Sequence, residues 1–333
     1  MYSKKYPVLR VPKEKGDKAL ANIKEEGRLD KRRLIRQENG DLIIPVTEGG
    51  NDWQDEGVFR DVKKTPYQEI KQRIEIPEEL KIYLPDRWER IGDLLLLKLS
   101  KELYDHKTEV GRAYADILGV ESVFIQYDIK GRKREPNVEL IYGDKTETTH
   151  LENGVRYKLD VTKIMFSSGN IDERIRMGNI VEDGERIVDM FAGIGYFTLP
   201  IAVHGDPQIV YSAEINPTAF SYFKENIELN GVKEKVIPWH GDNRDIPLSN
   251  FADRIVMGYL HNTWKYLEKA EKIIKAEGTI HYHTNVKDEG YKKRVYEELK
   301  DNLTSSFVID EIRIIKSYAP HVYHVVADVE MKI

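Results

Sequence analysis

The 333-residue chain contains no cysteine and no apolar run close to the roughly 20 residues that a membrane-spanning helix needs. The absence of cysteine excludes disulfides and thiolate metal sites. The N-terminus carries no secretory signal pattern, so we expect a cytoplasmic protein without a membrane partner. Hydrophobic residues make up 40% of the chain, which is ample for buried cores and excludes a wholly disordered protein.

The chain also lacks a large net charge, and the overall value of −5 does not indicate nucleic-acid binding. The charge is unevenly distributed, however, because residues 1–36 contain twelve Lys or Arg against five Asp or Glu, and a second basic cluster occupies residues 130–134. Clustered cations neutralise phosphates locally, whatever the total charge. Taken alone these clusters are typical of a solvated surface, and they favour an RNA partner only if the rest of the chain points the same way.

Three apolar stretches in the second half of the chain each end in residues suited to binding a nucleoside. The first, 187–190, runs into a turn that contains Gly193 and Gly195, the second ends at Glu214, and the third ends at Asp242 and Asn243. Glycines let the backbone approach a ligand, a carboxylate binds ribose hydroxyls, and an Asp–Asn pair reads the adenine edge. This order of strand ends predicts an adenosine-containing cofactor.

The turn lacks the third glycine of a dinucleotide-binding fingerprint, because the residue three after Gly195 is Thr198. Glu214 suits NAD and S-adenosylmethionine equally, whereas Asp242-Asn243 after a third strand favours S-adenosylmethionine. We therefore predict S-adenosylmethionine, bound by Gly193, Gly195, Glu214, Asp242 and Asn243. Asp189 at the end of the first strand is expected to orient the turn.

The pattern of elements divides the chain into four parts. Residues 1–50 indicate a small α/β domain, 51–65 a polar linker rich in Gly and Asp, 66–160 a middle α/β domain, and 161–333 a catalytic domain. In the last part strands and helices alternate before two long strands at 307–317 and 322–331. The expected fold class is α/β, with a Rossmann-like class I S-adenosylmethionine-dependent methyltransferase core that ends in an antiparallel strand pair.

Local signals predict several further elements. We expect strands at 8–11 and 42–46 with a helix at 16–26 between them, a single strand at 90–97, and helices at 101–118 and 264–276. Asn153-Gly154 between two strand patterns predicts a hairpin turn.

Several segments together resemble one family. Residues 164–177 and 188–195 are similar to the archaeal and eukaryotic enzymes that act on position 37 of tRNA. That group contains the guanine-N1 methyltransferases and the wybutosine-pathway enzymes that transfer a 3-amino-3-carboxypropyl group. Segments 242–245, 252–259, 281–283 and 318–326 look like the aminocarboxypropyltransferases. The methyltransferases place an Asn and a Pro after the fourth strand, where this chain has 258–261, Gly-Tyr-Leu-His.

Two alternatives stay open. Residues 1–46 resemble the N-terminal domain with which the guanine-N1 methyltransferases grip the tRNA body, so a tRNA (guanine37-N1)-methyltransferase remains the second hypothesis. A non-catalytic RNA-binding protein with a degenerate transferase core is the third, and the intact acid-terminated strand ends argue against it.

The resemblance implies a reaction and two further ligand-binding positions. It implies that the aminocarboxypropyl group of S-adenosylmethionine, as co-substrate, passes to C7 of 4-demethylwyosine at position 37 of tRNA-Phe, with release of methylthioadenosine. Ser167 and Arg174 match ligand-binding positions of the family. Arg174 would hold a carboxylate or phosphate, or else form an ion pair with Glu173 or Asp172.

The sequence does not name the proton acceptor for C7. Asp245, Tyr259 and His261 are candidates by their place after the third and fourth strands, and solvation or core packing explains each equally well. His281 and His283 alternate on one strand and would need a third ligand to hold a metal ion, so we predict no metal site.

Overall fold

The structure, a computed structural model, describes residues 6–54, 64–127, 136–287 and 289–332. Its contacts divide the chain into two compact units, Met1–Glu69 and Ile70–Ile333. Most of the predicted linker and the basic cluster at 130–134 lie outside the described residues. No helix in the described part of the chain is both long and apolar enough to cross a membrane.

The first unit is a small antiparallel sheet with one helix. Its elements are β1 (Tyr6–Pro12), α1 (Gly16–Glu25), β2 (Arg36–Glu38), β3 (Asp41–Pro45) and β4 (Asp52–Gln54), and α2 (Pro66–Arg73) crosses into the second unit. The strand order is β2-β3-β1-β4. Ile23 of α1 packs on Ile44 and Val46, which explains the apolar spacing that predicted α1 and β3. The predicted strands at 8–11 and 42–46 and the helix at 16–26 are confirmed within a residue or two.

The second unit begins with a small sheet and a hairpin. Its first elements are β5 (Trp88–Ile91), β6 (Leu94–Leu97), α3 (Lys107–Leu118), β7 (Ser122–Gln126), β8 (Val138–Tyr142), β9 (Glu147–Glu152) and β10 (Val155–Asp160). Strands β5 to β8 pair in chain order, and β9 pairs with β10. The turn between β9 and β10 has positive φ at Asn153 and Gly154, which confirms the predicted hairpin.

The remaining elements build a seven-stranded sheet. They are α4 (Ile171–Asn179), β11 (Arg186–Asp189), α5 (Thr198–His204), β12 (Ile209–Glu214), α6 (Pro217–Leu229), β13 (Val236–His240), β14 (Ala252–Met257), α7 (Leu267–Ile273), β15 (Ile274–Lys287), α8 (Tyr291–Asn302), β16 (Ser306–Ala319) and β17 (Val322–Lys332). The order is β13-β12-β11-β14-β15-β17-β16. The first five strands are parallel and the last two pairings are antiparallel, so the predicted fold class is correct.

Three predicted elements are corrected. The strand expected at 90–97 is the β5–β6 hairpin, because Gly92 adopts a left-handed φ of 58° and reverses the chain. The helix expected at 101–118 begins as a 3₁₀ helix, Lys101–His106, before α3. The helix expected at 264–276 ends at Ile273, because the carbonyls of Lys272 and Ile273 accept hydrogen bonds from the backbone N–H groups of Asn250 and Phe251.

One apolar core joins the β9–β10 hairpin to the large sheet. Tyr157 and Leu159 of β10 belong to the same buried cluster as Ile187 of β11 and Leu199 of α5. The side chain of Asn226 accepts a hydrogen bond from the N–H of Lys158 at 2.7 Å and donates to the carbonyl of Ile194 at 3.1 Å. Side chains on both sides of residue 160 therefore share one core. The boundary between 66–160 and 161–333 stays a prediction.

Candidate active site

A cavity of about 280 Å³ lies at the carboxyl ends of β11 to β14. Its walls combine the turn after β11, the end of β12, the loop after β13 and the loop after β14. The lining residues are Met190, Phe191, Gly193, Tyr196, Ala213, Glu214, Ile215, Gly241, Asp242, Asn243, Gly258, Tyr259 and Tyr266. We call it the first cavity. Open parallel sheets bind their ligands at this edge.

The turn after β11 is fixed by a buried carboxylate. Asp189 accepts a hydrogen bond from the N–H of Phe191 at 3.1 Å and from the hydroxyl of Thr198 at 2.8 Å. Burial raises the pKa of Asp189 to about 6, against an ordinary 3.8. Gly193 and Gly195 both have positive φ, and a Cβ on Gly195 would lie 2.6 Å from Cγ of Leu199. Asp189 thus holds the turn, as its place at the strand end predicted.

Glu214, at the end of the neighbouring strand β12, also binds the turn after β11. Its carboxylate accepts hydrogen bonds from the N–H of Gly193 at 2.8 Å and of Asn216 at 2.6 Å. Burial raises its pKa even though these backbone donors act in the opposite direction. Glu214 is therefore a fixed carboxylate in the wall of the first cavity.

The loop after β13 brings an acid and an amide to the same wall. Asp242 accepts from both the backbone and the guanidinium of Arg244, which lowers its pKa. Asn243 donates from Nδ2 to the carbonyl of Met190 at 2.8 Å, and its buried Oδ1 has no hydrogen-bond partner among the described residues. A buried polar atom without a partner is costly, so this wall is suited to a ligand that donates a hydrogen bond.

A second cavity of about 240 Å³ shares Phe191, Tyr196, Gly258 and Tyr259 with the first. The other residues that line it are Met165, Ser167, Asn170, Arg174, Phe197, Leu260, His283 and His324. The two cavities are therefore neighbours along one edge of the sheet.

Arg174 in the second cavity is held by a carboxylate that the sequence did not indicate. Its guanidinium donates to both oxygens of Glu152 at 2.6 Å and to the carbonyl of Ser167 at 3.0 Å. Both partners of this ion pair are buried. The alternative ion pair with Glu173 or Asp172 is wrong, because Glu173 pairs with Arg176 one turn further along α4.

Ser167 receives a hydrogen bond from a distant strand. The ammonium of Lys316, on β16, donates to its hydroxyl at 2.7 Å. Ser167 and Arg174 both line the second cavity, and the Lys316 ammonium lies against Ser167, whereas Glu152 neutralises the charge of Arg174. Their hydroxyl and guanidinium groups can donate hydrogen bonds to an anionic group.

The three candidates for the proton acceptor occupy different places. Tyr259 lines both cavities and stacks on Phe191, with ring centroids 5.0 Å apart. Asp245 is exposed and His261 is half-buried, and neither is among the lining residues of the two cavities. The structure therefore brings Tyr259 to the site and leaves Asp245 and His261 beside it.

The two histidines of β15 have different partners. The buried His281 donates from Nδ1 to Asp328 at 2.6 Å and accepts at Nε2 from Arg254 at 2.7 Å, so its hydrogen bonds are complete. His283 lies 3.0 Å from His324 of β17, Nδ1 to Nε2, and both rings line the second cavity. Within the described ranges, no group of three or more His, Asp or Glu side chains is arranged to hold a metal ion.

Sequence reasoning named Ser167, Arg174 and Tyr259 of the second cavity but missed the groups that hold its polar side chains. These are Glu152, Lys316 and His324, which bond to Arg174, Ser167 and His283, and only the tertiary structure identifies them as neighbours. For His283 the signal in the sequence was its alternation with His281, which placed both on one face of a strand.

Family models match three consecutive parts of the chain. The TRM5/TYW2 methyltransferase domain matches residues 148–309, the TYW2 N-terminal domain residues 70–146, and the tRNA methyltransferase 5 N-terminal domain residues 9–53.

Two curated proteins and one solved structure resemble the chain over most of their length. The tRNA(Phe) (4-demethylwyosine(37)-C(7)) aminocarboxypropyltransferase of Pyrococcus horikoshii is 44% identical over 79% of this chain and 98% of its own. The tRNA (guanine(37)-N(1))-methyltransferase Trm5b of Pyrococcus abyssi is 33% identical over 96% of this chain and 97% of its own. The crystal structure of P. horikoshii TYW2 in complex with MeSAdo superposes with a TM-score of 0.73, at 42% identity, over 80% of this chain and 99% of its own.

Proposed function

The chain belongs to the TRM5/TYW2 family, and we propose that it transfers the 3-amino-3-carboxypropyl group of S-adenosylmethionine to C7 of 4-demethylwyosine at position 37 of tRNA-Phe. The observation that carries this proposal is the pair of adjoining cavities. One has the strand-end residues that suit adenosine, and the other has the hydrogen-bond donors of Ser167 and Arg174, which suit the amino-acid part of the same molecule.

The first cavity is proposed to hold the adenosine part. Glu214 binds the ribose hydroxyls, Asp242 and Asn243 bind the adenine side, and Gly193 and Gly195 let the turn approach the ligand. The fixed carboxylate of Glu214 and the buried, unpartnered Oδ1 of Asn243 fit a ligand that carries hydroxyl and amino donors. The relative from P. horikoshii crystallised with MeSAdo supports an adenosine ligand here.

The second cavity is proposed to hold the amino-acid arm and the acceptor base. Ser167 and Arg174 bind the arm, and Arg174 is already oriented by Glu152 and Ser167. S-adenosylmethionine supplies an electrophilic Cγ next to a sulfonium leaving group. Orientation decides which of the carbons on sulfur meets the nucleophile. An arm anchored in the second cavity places Cγ toward the base and leaves the methyl group aside.

tRNA-Phe is proposed as the macromolecular partner. Both curated relatives are tRNA-modifying enzymes by name. The first unit carries part of the basic surplus of residues 1–36, and Arg32 is an exposed member of it. Contacts of Lys and Arg side chains to phosphates position a nucleic acid without reading its sequence.

The test uses tRNA-Phe bearing 4-demethylwyosine and S-adenosylmethionine labelled separately in its methyl and carboxyl carbons. We expect carboxyl label in the RNA and methyl label in released methylthioadenosine, because Cγ and not the methyl group faces the base. The control is the same tRNA with unmodified guanosine at position 37, which should acquire neither label. Methyl label alone in the RNA would contradict the proposal.

The second candidate is tRNA (guanine37-N1)-methyl transfer. The match of residues 9–53 to the tRNA methyltransferase 5 N-terminal domain and the alignment with Trm5b along nearly the whole chain favour it. The higher identity to the aminocarboxypropyltransferase, together with Gly258-Tyr259 where the methyltransferases have Asn and Pro, favours the first candidate. Methyl label in the unmodified control tRNA would identify the second.

A further inference from the structure

One side chain that lines the second cavity has a buried nitrogen without a partner among the described residues. His283 is 1% exposed, and its Nε2 has no hydrogen-bond partner among the described residues. Its Nδ1, on the other side of the ring, is 3.0 Å from Nε2 of His324. Oδ1 of Asn170, which lines the same cavity, is likewise buried and unpartnered within those residues. Two such atoms in one cavity indicate a ligand with polar groups at its edge.

The His283 ring is oriented by its neighbours and kept neutral. The ring packs against Phe197 at 5.1 Å and His324 at 5.2 Å between centroids. Burial lowers the pKa of His283 well below its ordinary value, the nearby His324, His281 and Arg176 lower it further, and Asp328 acts in the opposite direction. A neutral imidazole whose Nδ1–H donates to His324 has a lone pair on Nε2.

We propose that Nε2 of His283 accepts the proton that leaves C7 of the acceptor base. The proposal rests on the proposed function and adds to it the group that the sequence left unnamed. None of the described residues that line the second cavity carries a carboxylate. The hydroxyl of Tyr196 already donates its hydrogen to the carbonyl of Met165. Tyr259 also lines this cavity, but its phenol oxygen is a weaker base than the nitrogen of a neutral imidazole. His283 with His324 behind it has the arrangement of a base and its orienting partner.

The step balances as follows. The electron pair of C7 forms the bond to Cγ, and the Cγ–S bond breaks with its pair going to sulfur. The positive charge therefore passes from the sulfonium to the ring of the acceptor nucleobase. The C7–H bond then breaks, its electron pair restores the aromatic ring, and the proton goes to the lone pair of Nε2. A proton on a cationic ring is strongly acidic, so a buried imidazole of low pKa is a sufficient acceptor. The imidazolium then returns the proton to solvent.

The main test compares His283→Asn with the wild-type chain in single turnovers on tRNA-Phe bearing 4-demethylwyosine, with and without deuterium at C7. The asparagine amide can still donate to His324 but has no nitrogen at the position of Nε2. We expect unchanged affinity for S-adenosylmethionine, formation of the aromatic product slowed by roughly 10²–10⁴-fold, and a deuterium isotope effect that the wild type lacks. His283→Gln places an amide near the position of Nε2 but supplies no basic nitrogen there, so it should show the same isotope effect.

His281→Asn is the matched control, because His281 is equally buried two residues away on β15 but is hydrogen-bonded to Asp328 and Arg254. It should lower the melting temperature without producing the isotope effect. The tautomer of His283 is measured in the wild type by ¹⁵N NMR, independently of any variant. A protonated Nε2 in the neutral ring would overturn the proposal.

The outcomes separate this inference from the proposed function. In one outcome the wild type transfers the aminocarboxypropyl group, while the His283 variants fold and either react at the wild-type rate or slow down without an isotope effect. That outcome would overturn only the role of His283. Transfer of methyl by the wild type would overturn the proposed function and the role of His283 with it.

Discussion

The two cavities lie side by side on one sheet edge, yet their walls come from the chain in different ways. The first is built from the ends of four neighbouring parallel strands, and its residues fall between Met190 and Tyr266. The second takes Ser167 and Arg174 from before the sheet begins and His283 and His324 from its last strands. In the proposed assignment, a local motif binds the common adenosine part, whereas long-range packing selects the transferred group.

The two cavities also differ in how their key groups are held. Backbone N–H groups hold the Glu214 carboxylate of the first cavity, and a buried ion pair with Glu152 holds Arg174 in the second. Removing Glu214 would leave two neutral backbone N–H groups without their acceptor. A buried ion pair leaves an uncompensated charge when either partner is removed. Substitutions should therefore damage the second cavity more severely than the first.

The largest effect is expected for Arg174→Ala. Removing the guanidinium leaves the Glu152 carboxylate buried without its partner, which should lower the free energy of unfolding by about 3–5 kcal/mol. Denaturant unfolding measures this change. Lys272→Ala, which breaks an exposed ion pair with Glu268, is the control and should not change stability measurably. An equal, small effect of both variants would contradict the structural role of the buried pair.

The next effect concerns pH and the turn of the first cavity. Asp189 has a folded-state pKa of about 6 against an ordinary 3.8, so the stability associated with its protonated form is fully present below pH 3.8 and is lost as the pH rises through 6. We compare the free energy of unfolding of the wild type with that of Asp189→Asn. This difference should fall by roughly 3 kcal/mol as the pH rises from 3.8 to 6 and should then stay constant. Unfolding measured from pH 3.5 to 8 checks the trend. A difference that rises with pH would reverse the sign and refute the assignment.

The smallest effect is expected for Glu214→Ala, which tests the first cavity directly. A charge-assisted hydrogen bond to the ribose contributes about 1.5–3 kcal/mol, so donor affinity should fall about ten- to a hundred-fold. Titration calorimetry with S-adenosylmethionine measures it, and Glu182→Ala, at an exposed acid outside both cavities, should bind normally. An unchanged affinity in a folded Glu214 variant would remove this residue from the binding site.

The parts of the site that could be predicted from the sequence are those that strands place by themselves. In a parallel sheet the carboxyl ends of neighbouring strands meet at one edge, so a glycine turn, Glu214 and the Asp242-Asn243 pair had to come together once their strands were recognised. Gly193 and Asp189 followed from the same turn. The hairpin at Asn153-Gly154 was equally predictable, because its sequence specifies a positive φ at both residues.

Other predictions failed where a single residue or a distant part of the chain overrode the local pattern. Residues 90–97 have the pattern of one strand, but the left-handed Gly92 makes this segment a hairpin. The apolar spacing of 264–276 favours a helix throughout, but pairing of Ile274 with Ala252 converts its end into β15. For Arg174, proximity in sequence suggested Glu173, whereas β9, 22 residues earlier, supplied the true partner, Glu152.

The sequence by itself determined the class of sheet, the strand ends proposed to bind adenosine, and the family. These depend on period, turn chemistry and order along the chain, which are local properties. Only the tertiary structure decided which side chains face the reacting part of the site, because Arg174 with Glu152, Ser167 with Lys316, and His283 with His324 are pairs formed across elements far apart in the chain. No spacing rule predicts such pairs. Arg174 with Glu152 and His283 with His324 form where packing excludes water, so a buried polar group must find its partner in another element.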